Sequence, residues 1–379
     1  MNTIALYIHI PFCQRKCYYC DFNSYSGKQH LIRDYIEALK KEIKMYKSIL
    51  DSCKIDTIFF GGGTPSILEG DQIAVIMDTI KEYYDVKNNA EISIEANPGT
   101  LGHDKLTKYY DSGINRLSIG LQACQNVLLK TLGRIHSFED YLKSLEEARK
   151  TGFSNINTDL MFSLPGQSKE DLGECLERIV SLNIPHISAY DLIIEEGTPF
   201  SNWVKNKTIV LPDEEIQLEM YHNIVRYLEE KNYIHYEISN FAKPGFQCKH
   251  NMIYWNNGAY IGLGAGSHSH FNKKRFNNVN EIEKYISLVE NGKTPVENKI
   301  DVSDKDEISE TMFLGLRLME GVSVKKFIER FNVSPFRIYG KQIKKFSAQG
   351  LLEYDKANIR LTRRGIDLSN VVFREMLLD

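Results

Sequence analysis

Apolar positions along the 379-residue chain follow two alternating rhythms. Short runs rich in β-branched and aromatic residues alternate with longer amphipathic runs of helical period, and six such pairs follow one another. IALYIHI (4–10) precedes an amphipathic stretch over 31–50, and IDTIFF (55–60) leads into 72–84. EISIEA (91–96) leads into 105–111, and RLSIGL (116–121) into helical sequence that runs to Gly152, a candidate C-cap glycine. INTDLMF (156–162) precedes 169–182, and HISAYDLII (186–194) precedes a long helix beginning near Asp213. Strand-then-helix units call for a parallel sheet with helices outside it. Six are too few for a closed eightfold barrel, so the pattern predicts an α/β fold with a partial, open (β/α)6 barrel over residues 1–240. Residues 241–300 read as a connecting segment. Beyond them, 308–319, 324–331 and 335–349 read as three short helices, and LLEYDKANIRLTRRG as two strands around a turn at 356–358. Three helices and a hairpin predict a small winged-helix-like domain over 301–379.

Composition narrows the class without naming a partner. Apolar residues make up 42% and charged residues 26%, with a net charge of −3, as in a soluble globular protein. MNTIALYIHIPF has no basic stretch ahead of its apolar run and does not read as a signal peptide, and no window approaches a membrane span. The seven cysteines are odd in number, and Cys53, Cys124, Cys175 and Cys248 are scattered, which fits a reducing cytoplasm better than a disulfide framework. Residues 309–379 carry 13 Lys+Arg against 8 Asp+Glu. Arg337, Lys341, Lys344 and Lys345 form a stripe on the third short helix, which a winged helix could turn towards DNA. A solvated face would look the same, so no nucleic-acid partner is expected.

The candidate chemistry falls beyond the C-terminal ends of the strands, where such barrels place it. Cys13, Cys17 and Cys20 follow the first run, Gly61-Gly62-Gly63-Thr64-Pro65 the second, and Glu95-Ala96-Asn97-Pro98 the third. Gln122 ends the fourth run and Asp159 lies on the fifth. Each has a bland explanation alone, as a turn or a capped carboxylate; five on one rim point to a site. Bunched thiols bind soft metals, zinc or iron–sulfur. A structural zinc would need a fourth ligand, and His9 is the nearest candidate. On a cubane cluster, three cysteines leave one iron open to a small molecule.

C-x3-C-x2-C in this loop, with the glycine run after the next strand, resembles the radical S-adenosylmethionine (SAM) superfamily. LYIHIPFCQRKCYYCDF, FFGGGTPS, ISIEANP, NRLSIGLQ, LGRIHS and NTDLMFSLPGQ are similar, more narrowly, to the oxygen-independent coproporphyrinogen oxidase family. The resemblance implies a [4Fe–4S] cluster on Cys13, Cys17 and Cys20, SAM on the open iron, and a reductant for the cluster. Carried over by position, Tyr7, Tyr19, Phe22, Gly63, Thr64, Glu95, Gln122, Arg134 and Asp159 would line the SAM pocket.

Two departures separate the chain from the oxidases of that family. Phe22 stands where they carry a further cysteine, and the first strand begins almost at Met1, so their N-terminal extension is expected to be missing. His250-Asn251-Met252-Ile253-Tyr254-Trp255 instead matches the H-N-x-x-Y-W motif of the family's haem-chaperone branch. That implies haem binding at His250, Asn251, Tyr254 and Trp255, and transfer to an acceptor haemoprotein, with coproporphyrinogen oxidase activity expected to be absent. An imidazole can ligate iron and aromatic rings can pack on a macrocycle, with Cys248 the alternative ligand. Gly262 to Gly266 mark a close backbone approach, and His268 and His270 are candidates for a second role. The alternative is an oxidase acting on a porphyrinogen with SAM.

Overall fold

The computed structural model describes residues 2–378. Six strands lie side by side in parallel: β1 (Asn2–Ile10), β2 (Cys53–Gly62), β3 (Asp85–Ala96), β4 (Arg116–Gln122), β5 (Ile156–Phe162) and β6 (His186–Asp191). The longer helices between and after them are α1 (Ile32–Met45), α2 (Gly70–Tyr83), α3 (His103–Asp111), α4 (Phe138–Thr151), α5 (Lys169–Ser181) and α6 (Glu214–Glu230), with short helical turns elsewhere in the connections. Ser137 and Ser168 open α4 and α5 as capping boxes with Asp140 and Asp171, each satisfying backbone N–H groups that the first turn leaves free. Gly152 closes α4 at φ 109°, as its position in the sequence implies.

Strand alternation divides the sheet into an apolar and a polar face. Ile4, Leu6, Ile8 and Ile10 of β1, with Ile92 and Ile94 of β3 and Leu117, Ile119 and Leu121 of β4, join one core with the apolar faces of the helices. The opposite face carries Tyr7, Glu91, Glu95, Arg116, Asn157, Asp159 and His186. Burying so many polar groups demands partners. They find them in each other: His186 Nδ1 lies 2.6 Å from Asn157 Oδ1, and the Asn157 amide donates to Ser118 and Asp159.

Residues 241–300 extend this sheet. α7 (Lys249–Trp255) follows β7 (Ile234–Glu237) and β8 (Asn240–Ala242), which add to the β6 edge. β9 (Tyr260–Leu263) then pairs in parallel with β1, Leu6 opposite Ile261, and β10 (His268–Phe271), β11 (Lys274–Asn278) and β12 (Val296–Asp301) follow antiparallel. The order is β12-β11-β10-β9-β1-β2-β3-β4-β5-β6-β8-β7, an open mixed sheet of twelve strands. α8 (Ile282–Glu290) packs against α1.

The C-terminal part has its own core of Met312, Phe327, Tyr339, Ile343, Phe346 and Ile359. It comprises α9 (Asp304–Gly315), β13 (Val322–Ser323), α10 (Val324–Phe331), α11 (Pro335–Ala348), β14 (Leu352–Tyr354), β15 (Asn358–Leu361) and two short closing helices, α12 (Arg363–Asp367) and α13 (Ser369–Arg374). The expected three helices and hairpin are present, and β13 completes a three-stranded sheet of order β13-β15-β14. In the hairpin turn, Asp355 Oδ1 accepts from the N–H groups of Ala357 and Asn358.

Candidate functional site

The loop after β1 carries the three thiols to a cavity of about 380 Å³ on the rim of the polar face. Cys13 is buried, while Cys17 and Cys20 are partly open. Burial pushes the thiols of Cys13 and Cys20 up. Two donors point at sulfur: Thr64 Oγ1 is 3.5 Å from Cys13 Sγ, and Arg134 Nη1 donates to Cys17 Sγ at 3.3 Å. Gly63 donates its N–H to Ile10 O, and a Cβ there would sit 2.7 Å from Phe12 O and 3.0 Å from Cys13 Sγ. Only glycine lets the second strand end lie this close to the thiol loop.

His9 is not poised as a fourth ligand. Its Nε2 lies 2.8 Å from Asn23 O and its Nδ1 3.1 Å from the Tyr7 hydroxyl, so both nitrogens are engaged, and burial lowers the imidazole to about 4. Among the described residues no three His, Cys, Asp or Glu side chains converge on a point that would hold a single metal ion. The thiols surround a space instead, an arrangement that suits a polynuclear cluster with an open corner.

Tyr19, Phe22, Gly63, Thr64, Glu95, Gln122, Arg134 and Asp159 all line this cavity with the cysteines. Tyr7 stands apart, lining the two neighbouring cavities. Gln122 reaches the rim with φ at 74°, a left-handed conformation that ends β4. Arg134 bonds Asn97 Oδ1 and Gly120 O, leaving its buried Nε without an acceptor. Burial and then the neighbouring Asp159 push Glu95 up to about 8, and burial also raises Asp159. Gly62 N–H, 3.2 Å from Glu95 Oε2, is too little to compensate. Glu95, with a single long donor, and Asp159, held by Ser118 and Asn157, stand beside an arginine short of an acceptor, a set that complements a ligand bearing both amino and carboxylate groups.

The H-N-x-x-Y-W motif lies on α7, packed against the polar face. Glu91 caps the helix from β3: its Oε2 accepts from Lys249 N–H at 3.0 Å and its Oε1 from His250 N–H at 3.1 Å. His250, Asn251 and Tyr254 line a cavity of about 210 Å³ with Glu95 and Asp159. Tyr254 and Trp255 also wall a larger cleft of about 720 Å³, bounded on its far side by Phe313 and Leu314 of α9. Phe22, Gly62 and Glu95 border both this cleft and the thiol cavity. Cys248 is fully buried, its thiol pushed up to about 12 by burial and 3.5 Å from Glu91.

The glycines of 262–266 meet protein. A Cβ on Gly264, at φ 98°, would lie 2.4 Å from the Tyr35 hydroxyl and 2.6 Å from His9 O. Of the paired histidines, His268 is exposed on the cleft and His270 is buried. Tyr190, Asp191 and Glu195 also line the thiol cavity, although no motif marks them; HISAYDLII, which holds the first two and ends just before Glu195, was their only signal. Cys124 and Cys175 lie in disulfide contact with Cα atoms 5.2 Å apart, a pairing that scattered cysteines did not suggest.

Comparisons with known proteins speak to the family and the fold. The Radical SAM superfamily model matches residues 7–179, and the HemN C-terminal domain model matches 302–368. Heme chaperone HemW of Lactococcus lactis is 39% identical over 99% of this chain and 97% of its own length. The protein of the same name from Bacillus subtilis is 38% identical over 98% and 99%. Among solved structures, coproporphyrinogen III oxidase (HemN) from Escherichia coli, a radical SAM enzyme, superposes with a TM-score of 0.86 at 23% identity, covering 99% of this chain and 90% of that one. That last likeness is one of fold.

Proposed function

Because the chain belongs to the HemW family, we propose that it is a haem chaperone that binds haem in the cleft beside Tyr254 and Trp255 and passes it to an acceptor haemoprotein. The observation that carries this reading is the cleft itself. Its volume falls within the range of about 300–1,000 Å³ usual for small-molecule sites, with aromatic walls from the motif helix. Phe22 and Glu95 place it against the thiol cavity, so a macrocycle seated there would lie beside the cluster loop.

The superfamily implies a [4Fe–4S] cluster and SAM. Cys13, Cys17 and Cys20 would hold the cluster. Bound there with SAM, it supplies one-electron chemistry, for which an external reductant is needed. This chain's own residues do the positioning. Arg134 donates to Cys17 Sγ, and Thr64 donates towards Cys13 Sγ. Glu95 and Asp159 would accept hydrogen bonds from ligand amino or hydroxyl groups, contacts that offset the burial raising both carboxyls. Gln122, Tyr19 and the Gly63 backbone, which line the cavity, would wall SAM in.

No helix among the described residues is long and apolar enough to cross a membrane. The test is anaerobic reconstitution followed by haem titration and a coproporphyrinogen III assay on one sample. Stoichiometric haem uptake without porphyrinogen turnover is expected. Turnover at a catalytic rate with SAM, without haem uptake, would establish the oxidase reading instead.

A further inference from the structure

His250 is the imidazole the motif offers, but neither of its nitrogens is free. Nδ1 lies 2.8 Å from Thr57 Oγ1 and Nε2 2.8 Å from the Tyr254 hydroxyl. The ring stacks on Phe59 with centroids 5.0 Å apart and is 1% exposed. An axial ligand needs a lone pair directed into open space beside a flat macrocycle. Cys248, fully buried against Glu91, does not line the large cleft.

The cleft contains two other imidazoles. His9 is committed to Asn23 and Tyr7. His268, on β10, is exposed, and its ring makes no hydrogen bond among the described residues. Partial burial and then Arg275 lower its affinity for protons, which favours the neutral, ligating form. Burial raises the hydroxyls of Tyr7, Tyr254 and Tyr260, which disfavours tyrosinate ligands. Trp255, which also lines the cleft, holds a buried indole N–H with no acceptor.

Resting on the haem-binding reading, we infer that His268 is the axial ligand of haem in this cleft, and that His250 is a positioning residue that holds Tyr254 against it. The histidine that ligates would then come from outside the H-N-x-x-Y-W motif, on a strand that pairs with β9.

The experiment is a titration of ferric haem into the reconstituted full-length chain, read by Soret absorption and by electron paramagnetic resonance of the haem iron. His268→Ala should lose the imidazole-ligated haem signal and bind at least tenfold more weakly, and free imidazole should restore the signal. His268→Gln should behave alike, and in both variants an unchanged cluster spectrum reports an intact fold. His250→Gln should keep the imidazole-ligated signal. A His268→Ala protein with the wild-type haem signal overturns the assignment, as does a loss in His250→Gln that free imidazole repairs. If the wild-type chain takes up no haem at all, the haem-binding reading fails, and this inference with it.

Discussion

Glu95 of β3 and Asp159 of β5, with β4 between them, reach one cavity, and each is raised by burial. Replacing either by Ala in reconstituted protein removes one charge-assisted acceptor, a loss of about 1.5–3 kcal/mol. SAM affinity should fall about tenfold or more, measured by calorimetry, while iron and sulfide content stays unchanged. Unaltered affinity in both variants would remove them from the SAM pocket. At this scale the thiol cavity was legible in the sequence because its residues cluster in short motifs at strand ends. Tyr190, Asp191 and the free face of His268 were not, because a tyrosine or histidine in a strand is ordinary until folding shows which wall it forms. His250 is the reverse case: a motif histidine whose engagement with Thr57 and Tyr254 appears only when β2 and α7 meet.

Elements were legible where periodicity was long: the six strand–helix units and α10 and α11 lie where the pattern puts them, while α9 runs over Asp304–Gly315 rather than 308–319. β9 to β11 were missed because four- and five-residue strands among glycine and asparagine look like loop. What fixes them is a carboxyl from an early helix. Glu42 of α1, fully buried, accepts from Tyr285 OH at 2.6 Å, Gly264 N–H at 2.7 Å and Asn278 Nδ2 at 2.6 Å. Burial nonetheless pushes it up to about 7 from 4.5. The folded chain therefore keeps a proton that the unfolded chain releases, and Glu42's contribution to stability is fully present below about pH 4.5 and lost as pH rises through about 7. Glu42→Gln, which cannot ionise, should remove that share of the pH dependence, seen as a flatter plot of melting temperature against pH between 5 and 8. Glu42→Ala should destabilise by about 1–3 kcal/mol for each donor left unpaired. An identical pH profile in wild type and Glu42→Gln would show that the carboxyl does not titrate in that window.

The two parts of the molecule meet where α7 ends. Arg330 of α10 donates to the carbonyls of Asn256 and Asn257 at 3.3 and 3.0 Å while paired with Glu307, and Arg317 stacks over Trp255 at 4.3 Å. Arg330→Ala leaves these C-terminal carbonyls of α7 to water and should cost about 1–3 kcal/mol. Faster proteolysis between residues 291 and 304, together with weaker haem binding, is the expected outcome, since α9 forms the far wall of the cleft. Wild-type haem affinity in that variant would mean the wall holds without this contact. The docking itself was not legible, because nothing in a string of residues says which helix end an arginine will reach. The loop that bears the thiols is likewise completed from far along the chain: Asn23 donates to Ala265 O, 242 residues later, and to Asn280 O. On a ribosome adding about 5–20 residues per second, the cysteines emerge roughly ten seconds to a minute before their last anchor is made. Throughout that interval the nascent thiol loop lacks the two backbone carbonyls that hold Asn23 in the folded chain, so its final shape waits on the synthesis of residues beyond β9.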